Sequence, residues 1–218
     1  SCKEKVKLFL VRSRYEKLYL SQGFGISASK CRIIPLSYNV NPESFGNERE
    51  PFCLHISLLC DARKNVKRLI DASVKYNFKL VLGGILRNEQ EKKLLDSWIR
   101  DKPNVTYMGY ISYDTMLDLY KRAKVFALPS IYEGVGIVAL DAAVMGCDIV
   151  ITRLGGPKEY YNNMAVEVDP YSIDEIGLAV SQLMQGQTFQ PDLRKYILEN
   201  YSLKNISEQL EMAFSIVL

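Results

Sequence analysis

The segment Pro129-Ser130-Ile131-Tyr132-Glu133-Gly134-Val135-Gly136 lies between an apolar run that reads as a strand and one that reads as a helix, Ile137 to Met145. Its glycines let the backbone turn closely. The N–H groups around Gly134, Val135, Gly136 and Ile137 then lack partners within the helix and form an anion site. Glu133 stands out there, because a carboxylate beside a phosphate repels it. It fits if it faces neutral hydroxyls that donate to it. Asp141 lies two turns further on and is expected on roughly the same side. Two carboxylates flanking a phosphate site suit the two sugars of a sugar nucleotide. Equally, Glu133 reads as a solvated turn residue and Asp141 as a surface acid. A second cluster, Arg63-Lys64 with Lys67 and Arg68, follows an earlier strand. Such cations neutralise a diphosphate where no metal does so, and the chain shows no Asp-x-Asp pair or other metal motif. Lys67 and Arg68 read instead as the solvated start of a helix.

These groups need a scaffold, and the middle of the chain supplies an alternation. Phe52 to Leu59, Phe78 to Leu82, Val105 to Met108, Val125 to Leu128, Asp148 to Thr152 and Ala165 to Val168 read as strands. Asn65 to Tyr76, Glu89 to Arg100, Ser112 to about Arg122 and Ile137 to Met145 read as helices. Ser112 is the expected N-cap of the third helix, and Gly146 the glycine that ends the fourth. The strand runs are continuously apolar, as in a sheet covered on both faces. The expected fold is α/β: a doubly wound, Rossmann-like parallel sheet, with ligands at the carboxyl ends of its strands. Ahead of it, Lys7 to Val11 and Arg32 to Ile34 read as strands around a helix from Arg14 to Ser21. A polar loop of residues 37–50 reads as a linker, and Ile206 to Leu218 as an amphipathic C-terminal helix.

The bulk properties narrow the class. A chain of 218 residues with net charge +3 is globular and lacks the strong basic bias of a nucleic-acid binder. Its five cysteines form no C-x-x-C pair and there is one histidine, so no structural zinc site is expected. Cys53 and Cys147 read as small core residues, and His55 as a core histidine bonded to backbone. With no signal peptide and no run long enough to span a bilayer, the expected location is cytoplasmic. A dinucleotide-dependent oxidoreductase is disfavoured, because no G-x-G-x-x-G follows the first core strand.

The stretch Tyr132 to Thr152, YEGVGIVALDAAVMGCDIVIT, resembles the signature of the family 4 retaining glycosyltransferases of GT-B fold. There a Glu-Gly-aromatic-Gly turn is followed by a second Glu. Val135 replaces the aromatic, Val138 a common proline, and Asp141 the second Glu, one methylene shorter. Gly155-Gly156-Pro157-Lys158-Glu159, Val168-Asp169-Pro170, Val105 to Ser112 and Ser202 to Leu218 also resemble family segments, in order. The resemblance therefore covers nearly the whole chain. It implies that Glu133 meets the donor sugar at the catalytic centre and Asp141 the ribose. It further implies that Lys64, with Arg63 from a shifted position, holds the donor diphosphate. Tyr110 is placed near the base by position alone. The implied layout is the end of an N-terminal acceptor domain (residues 1–36), the linker (37–50), the donor-binding domain (51–201) and a crossover helix (202–218). The implied activity is retaining transfer from a nucleoside diphosphate sugar, without metal or other cofactor, to a glycan or lipid-linked glycan. The acceptor would be bound by a domain absent here, and the full protein could work peripherally at a membrane. On this reading the chain alone binds donor and catalyses poorly. The departures at Val135, Val138 and Asp141 support the alternative of a non-catalytic nucleotide-sugar-binding module.

Overall fold

The computed structural model describes residues 2–45 and 48–215. Among them the strands form two parallel sheets. The larger is built from β3 (Glu50–Ile56), β4 (Lys79–Gly83), β5 (Val105–Tyr107), β6 (Ala123–Leu128), β7 (Asp148–Thr152) and β8 (Val166–Val168), in the order β5-β4-β3-β6-β7-β8. Every pairing is parallel. The smaller pairs β1 (Phe9–Val11) with β2 (Cys31–Ile33), joined by α2 (Arg14–Phe24), after a short α1 (Cys2–Lys5).

The apolar strand runs are buried on both faces. Leu54, Phe126 and Ile149 face one core, and Cys53, Val125 and Val150 the other. The second core is closed by α3 (Val66–Lys75), α4 (Glu89–Ile99) and α7 (Ile173–Met184). The first is closed by α5 (Tyr113–Arg122), α6 (Ile137–Val144), α8 (Asp192–Asn200) and α9 (Leu203–Ser215). Ser112 caps α5 by accepting from the Thr115 N–H, and Gly146 follows α6 at φ 96°, both as expected. Cys53 and Cys147 are fully buried.

Two helices not expected from the apolar patterning, α7 and α8, lie between Val168 and Ile206. The C-terminal helix begins at Leu203, and its expected last residues, 216–218, lie outside the described set. The linker is also more structured than a polar loop. It carries a 3₁₀ turn at Pro42–Ser44, and its Arg49 guanidinium donates to the carbonyls of Tyr120, Lys121 and Met145. Arg49 and Arg194 both stack on Phe45, at 5.6 and 4.5 Å from the ring centre.

The strand order reverses between β3 and β6, the central pair. In an open parallel sheet the loops leaving such a pair diverge and leave a crevice at the strands' carboxyl ends. Here those loops are residues 57–65 and 129–136, which carry both clusters singled out above.

Candidate functional site

The two crevice loops are stitched together. The Ile131 N–H donates to the Arg63 carbonyl at 2.8 Å. The buried Asn65 side chain donates to the carbonyls of Pro129 and Pro170, at 2.9 and 2.6 Å. Asn65 adopts a left-handed φ of 59° between a 3₁₀ turn (Ala62–Lys64) and α3, which turns Lys64 toward β6. Beneath them, fully buried His55 faces the Ala127 carbonyl through Nδ1 at 2.8 Å and the Ser57 hydroxyl through Nε2 at 2.7 Å. A carbonyl only accepts, so Nδ1 carries the proton and Nε2 accepts from Ser57. Burial lowers this imidazole to about 4 and keeps it neutral. His55 is thus a core group that braces β3 against β6.

Lys64 meets Glu133 directly. The ammonium lies 2.5 Å from Oε2, with both side chains mostly buried, at 21% and 15% exposure. Fully buried Ser130 also donates to Oε2 at 3.4 Å, and the Gly134 N–H reaches Oε1 at 3.3 Å. The chain then enters α6 through Gly136 at φ 72°, where a Cβ would press on Leu128 at 2.8 Å, so glycine is required. Among the described residues no side chain caps α6, and with the Ala139 N–H taken by the Gly136 carbonyl, the open donors of its first turn are the Ile137 and Val138 N–H groups. A cavity of about 370 Å³ opens beside Glu133, lined by Tyr15, Tyr132, Arg153 and Lys158 among others. Tyr132 and Lys158 lie within motif segments quoted above, but neither they nor Tyr15 and Arg153 carry an expected role. A cavity of about 420 Å³ between the start of α2 and Tyr196 touches neither Glu133 nor Lys64.

The structure thus brings Lys64, Glu133, Gly134 and Gly136 together, and treats the other expected site residues differently. Arg63 is exposed and bound to Asp61, whose carboxyl its hydrogen bonds hold down to about 2. Val135 is buried in the core and Ile137 packs against it, so only their backbones border the turn. Tyr110 is 77% exposed and lines a separate cavity of about 590 Å³ with Ile85, Leu86 and Tyr107. Asp141 is not a surface acid. It is 5% exposed, and Oδ1 accepts from the Asn39 N–H of the linker at 2.6 Å. Burial raises its carboxyl to about 6, against the lowering effect of the Asn39 and Val40 N–H groups.

Glu159 joins the loop after β7 to the start of α2. Its oxygens accept from the N–H groups of Arg14 and Tyr15 at 2.8 and 2.9 Å. Nearby, Gly156 comes so close to Ser13 that a Cβ would meet its Oγ at 2.5 Å. The Tyr160 hydroxyl donates to the Arg12 carbonyl and accepts from the Leu36 N–H. The loop after β7 therefore locks the start of α2 beside the crevice. The only advance signal was the glycine pair before Pro157-Lys158-Glu159. Among the described residues no cluster of three or more His, Cys, Asp or Glu could hold a metal, and no helix is long and apolar enough to cross a membrane.

Residues 39–201 match the family model of the glycosyl transferases, group 1. Over 168 residues the chain is 30% identical to an uncharacterized glycosyltransferase of Methanocaldococcus jannaschii, MJ1607, covering 72% of this chain and 43% of that protein. It is 26% identical to the O-antigen chain mannosyltransferase B of Escherichia coli, covering 64% of this chain and 38% of that one. The chain thus spans less than half of either relative. In fold it is similar to the sucrose-phosphate synthase of Thermosynechococcus elongatus (TM-score 0.84, 20% identity, 99% of this chain and 60% of that chain). It is likewise similar to HepE of Anabaena, solved in complex with UDP and glucose (TM-score 0.83, 16% identity, 96% and 63%).

Proposed function

The chain belongs to the group 1 glycosyl transferases, and from that premise we propose that it is the part of a retaining transferase that holds a nucleoside diphosphate sugar. The observation that carries this reading is the convergence of Lys64, Glu133 and the uncapped start of α6 where the strand order reverses. The diphosphate lies between the Lys64 ammonium and the first-turn N–H groups of α6. Glu133 accepts hydrogen bonds from hydroxyls of the sugar. As the bond between the anomeric carbon and the phosphate oxygen breaks, negative charge grows on the departing diphosphate. Lys64 and the helix dipole already point at that charge, so they stabilise it without reorganising. The reading assigns the cations of this loop, not a divalent metal, to the diphosphate. The acceptor, a glycan or lipid-linked glycan, is held by further parts of the whole protein, and transfer needs it in register with the donor.

Calorimetric titration with UDP, GDP and ADP, in buffer treated with a chelator, tests this. One of them is expected to bind, with an affinity unchanged when magnesium or manganese is added. Binding that strictly requires either metal overturns the metal-free site. Absence of binding for all three, with and without metal, overturns the donor reading.

A further inference from the structure

Three cations, Arg12, Arg14 and Lys158, line the cavity of about 420 Å³ between the start of α2 and Tyr196. One acid joins them, Glu159, whose oxygens already accept from the N–H groups at the positive end of α2. The cations are committed to different degrees. Arg12 is bound to Glu16 through its peptide N–H and its guanidinium. Lys158 lies 3.6 Å from Glu167 with both side chains exposed, so that pair is weak. Arg14 is exposed, and its guanidinium has no hydrogen-bond or ion-pair partner among the described residues. Part of the remaining wall is aromatic. Tyr201 packs on Tyr160 and Tyr196, with ring centres 4.9 and 6.0 Å away. Such rings offer flat apolar surface to the C–H face of a sugar, and the volume suits a small molecule.

The cavity is separate from the donor crevice but borders it. Lys158 lines both this cavity and the one beside Glu133. Arg12 lies against Gly134, where an added Cβ would meet its guanidinium at 3.2 Å. The charge of the chain is skewed toward the same place. Residues 1–36, which supply Arg12 and Arg14, hold eight Lys and Arg against two Glu, while the remainder holds more acids than bases. That field draws an anion toward this unit rather than toward the six-stranded one.

We propose that this cavity holds an anionic sugar of the acceptor, with its phosphate or carboxylate between Arg12, Arg14 and Lys158 and its ring on Tyr196 and Tyr201. The rest of the acceptor is left to the further parts of the whole protein. That the sugar belongs to the acceptor rests on the donor reading above; that the cavity takes an anionic sugar does not.

The experiment is an NMR titration of the protein with glucose 6-phosphate, glucuronate and glucose, following the backbone amides and the arginine Nε–H groups. At least one of the two anionic sugars is expected to shift Arg14 Nε–H and the amides of Asn162 and Asn163, which also line the cavity. Which of the two does so separates phosphate from carboxylate. Glucose is expected to leave these signals in place. Arg14→Gln removes a charge that holds nothing else, and should weaken the binding at least about fivefold, the effect of one unit-charge contact in water. Lys158→Gln should act the same way and stands in if the first variant does not fold. With UDP, GDP or ADP bound, the anionic sugar should still bind. Equal shifts from glucose, no shift from either anionic sugar, or unchanged affinity in both variants overturns the cavity. Mutual exclusion of the anionic sugar and the nucleotide overturns the acceptor role. If none of the nucleotides binds, the donor reading fails, while the sugar titration still decides the cavity.

Discussion

The Lys64–Glu133 pair sets the energetics of ligand entry. Both side chains are mostly out of water, so each compensates the other's charge, and removing one strands its partner. A diphosphate must take Lys64 over from Glu133 and then lie beside that carboxylate. Glu133→Gln should therefore tighten binding of the plain nucleoside diphosphate. The gain is at least about 1 kcal/mol, the value for a contact between unit charges in bulk water, or roughly fivefold or more in Kd. The sugar conjugate should gain less, because the amide is a poorer acceptor for sugar hydroxyls than the carboxylate. Titrating the variant with both ligands checks this; plain diphosphate binding that is equal or weaker shows that the carboxylate does not oppose the phosphates. Lys64→Ala should act the other way, costing the diphosphate about 1.5–3 kcal/mol, the range of a hydrogen bond to a charged group. The nucleoside, lacking phosphate, should bind the variant as it binds wild type. Equal losses for both ligands would mean that Lys64 acts through folding.

At the scale of elements, α2 shows how a loop from one unit completes a helix of the other. The first four N–H groups of a helix need partners from outside its ladder. Here Arg14 and Tyr15 give theirs to Glu159 and Glu16 gives its own to the Ser13 hydroxyl, and the ladder begins with the Lys17 N–H donating to the Ser13 carbonyl. Glu159→Ala should cost about 1–2 kcal/mol, the scale of a lost N-terminal cap with its dipole interaction. Urea denaturation measures the loss, and amide exchange should accelerate at Arg14 and Tyr15; a variant as stable and as protected as wild type shows the contact to be idle. This contact joins residues about 145 positions apart, and no local pattern announces it. The strands were legible because continuous apolar runs have few other uses, and Ser112 and Gly146 because caps are chemical. The burial of Asp141 against the linker was not legible, because its partner, the Asn39 N–H, lies about 100 positions away in the chain. The helix α7 was legible in principle, since Ser172 caps it by accepting from the Glu175 N–H.

For the whole molecule, two buried groups pull the pH dependence of stability in opposite directions. His55 is held neutral, at about 4 against an ordinary 6.5, so the unfolded chain binds its proton more tightly. Its contribution is complete above 6.5 and is lost as pH falls toward 4. Asp141 is raised to about 6 from 3.8, so the folded chain binds its proton more tightly. Its contribution is complete below 3.8 and is lost as pH rises through 6. Each is worth about 3 kcal/mol on this scale. Across the window from 6.5 down to 4 the loss at His55 and the gain at Asp141 nearly cancel. Asp148, also raised by burial, adds to the gain but is common to wild type and variant. Asp141→Asn removes one side of the balance. Relative to wild type, the variant should lose about 3 kcal/mol of stability between pH 7 and pH 4, whatever its stability at neutral pH. Urea unfolding of both proteins at pH 7, 5.5 and 4 measures that difference. Parallel profiles would show that the Asp141 carboxyl titrates as it does in the unfolded chain, and that its burial beside the linker carries no electrostatic cost.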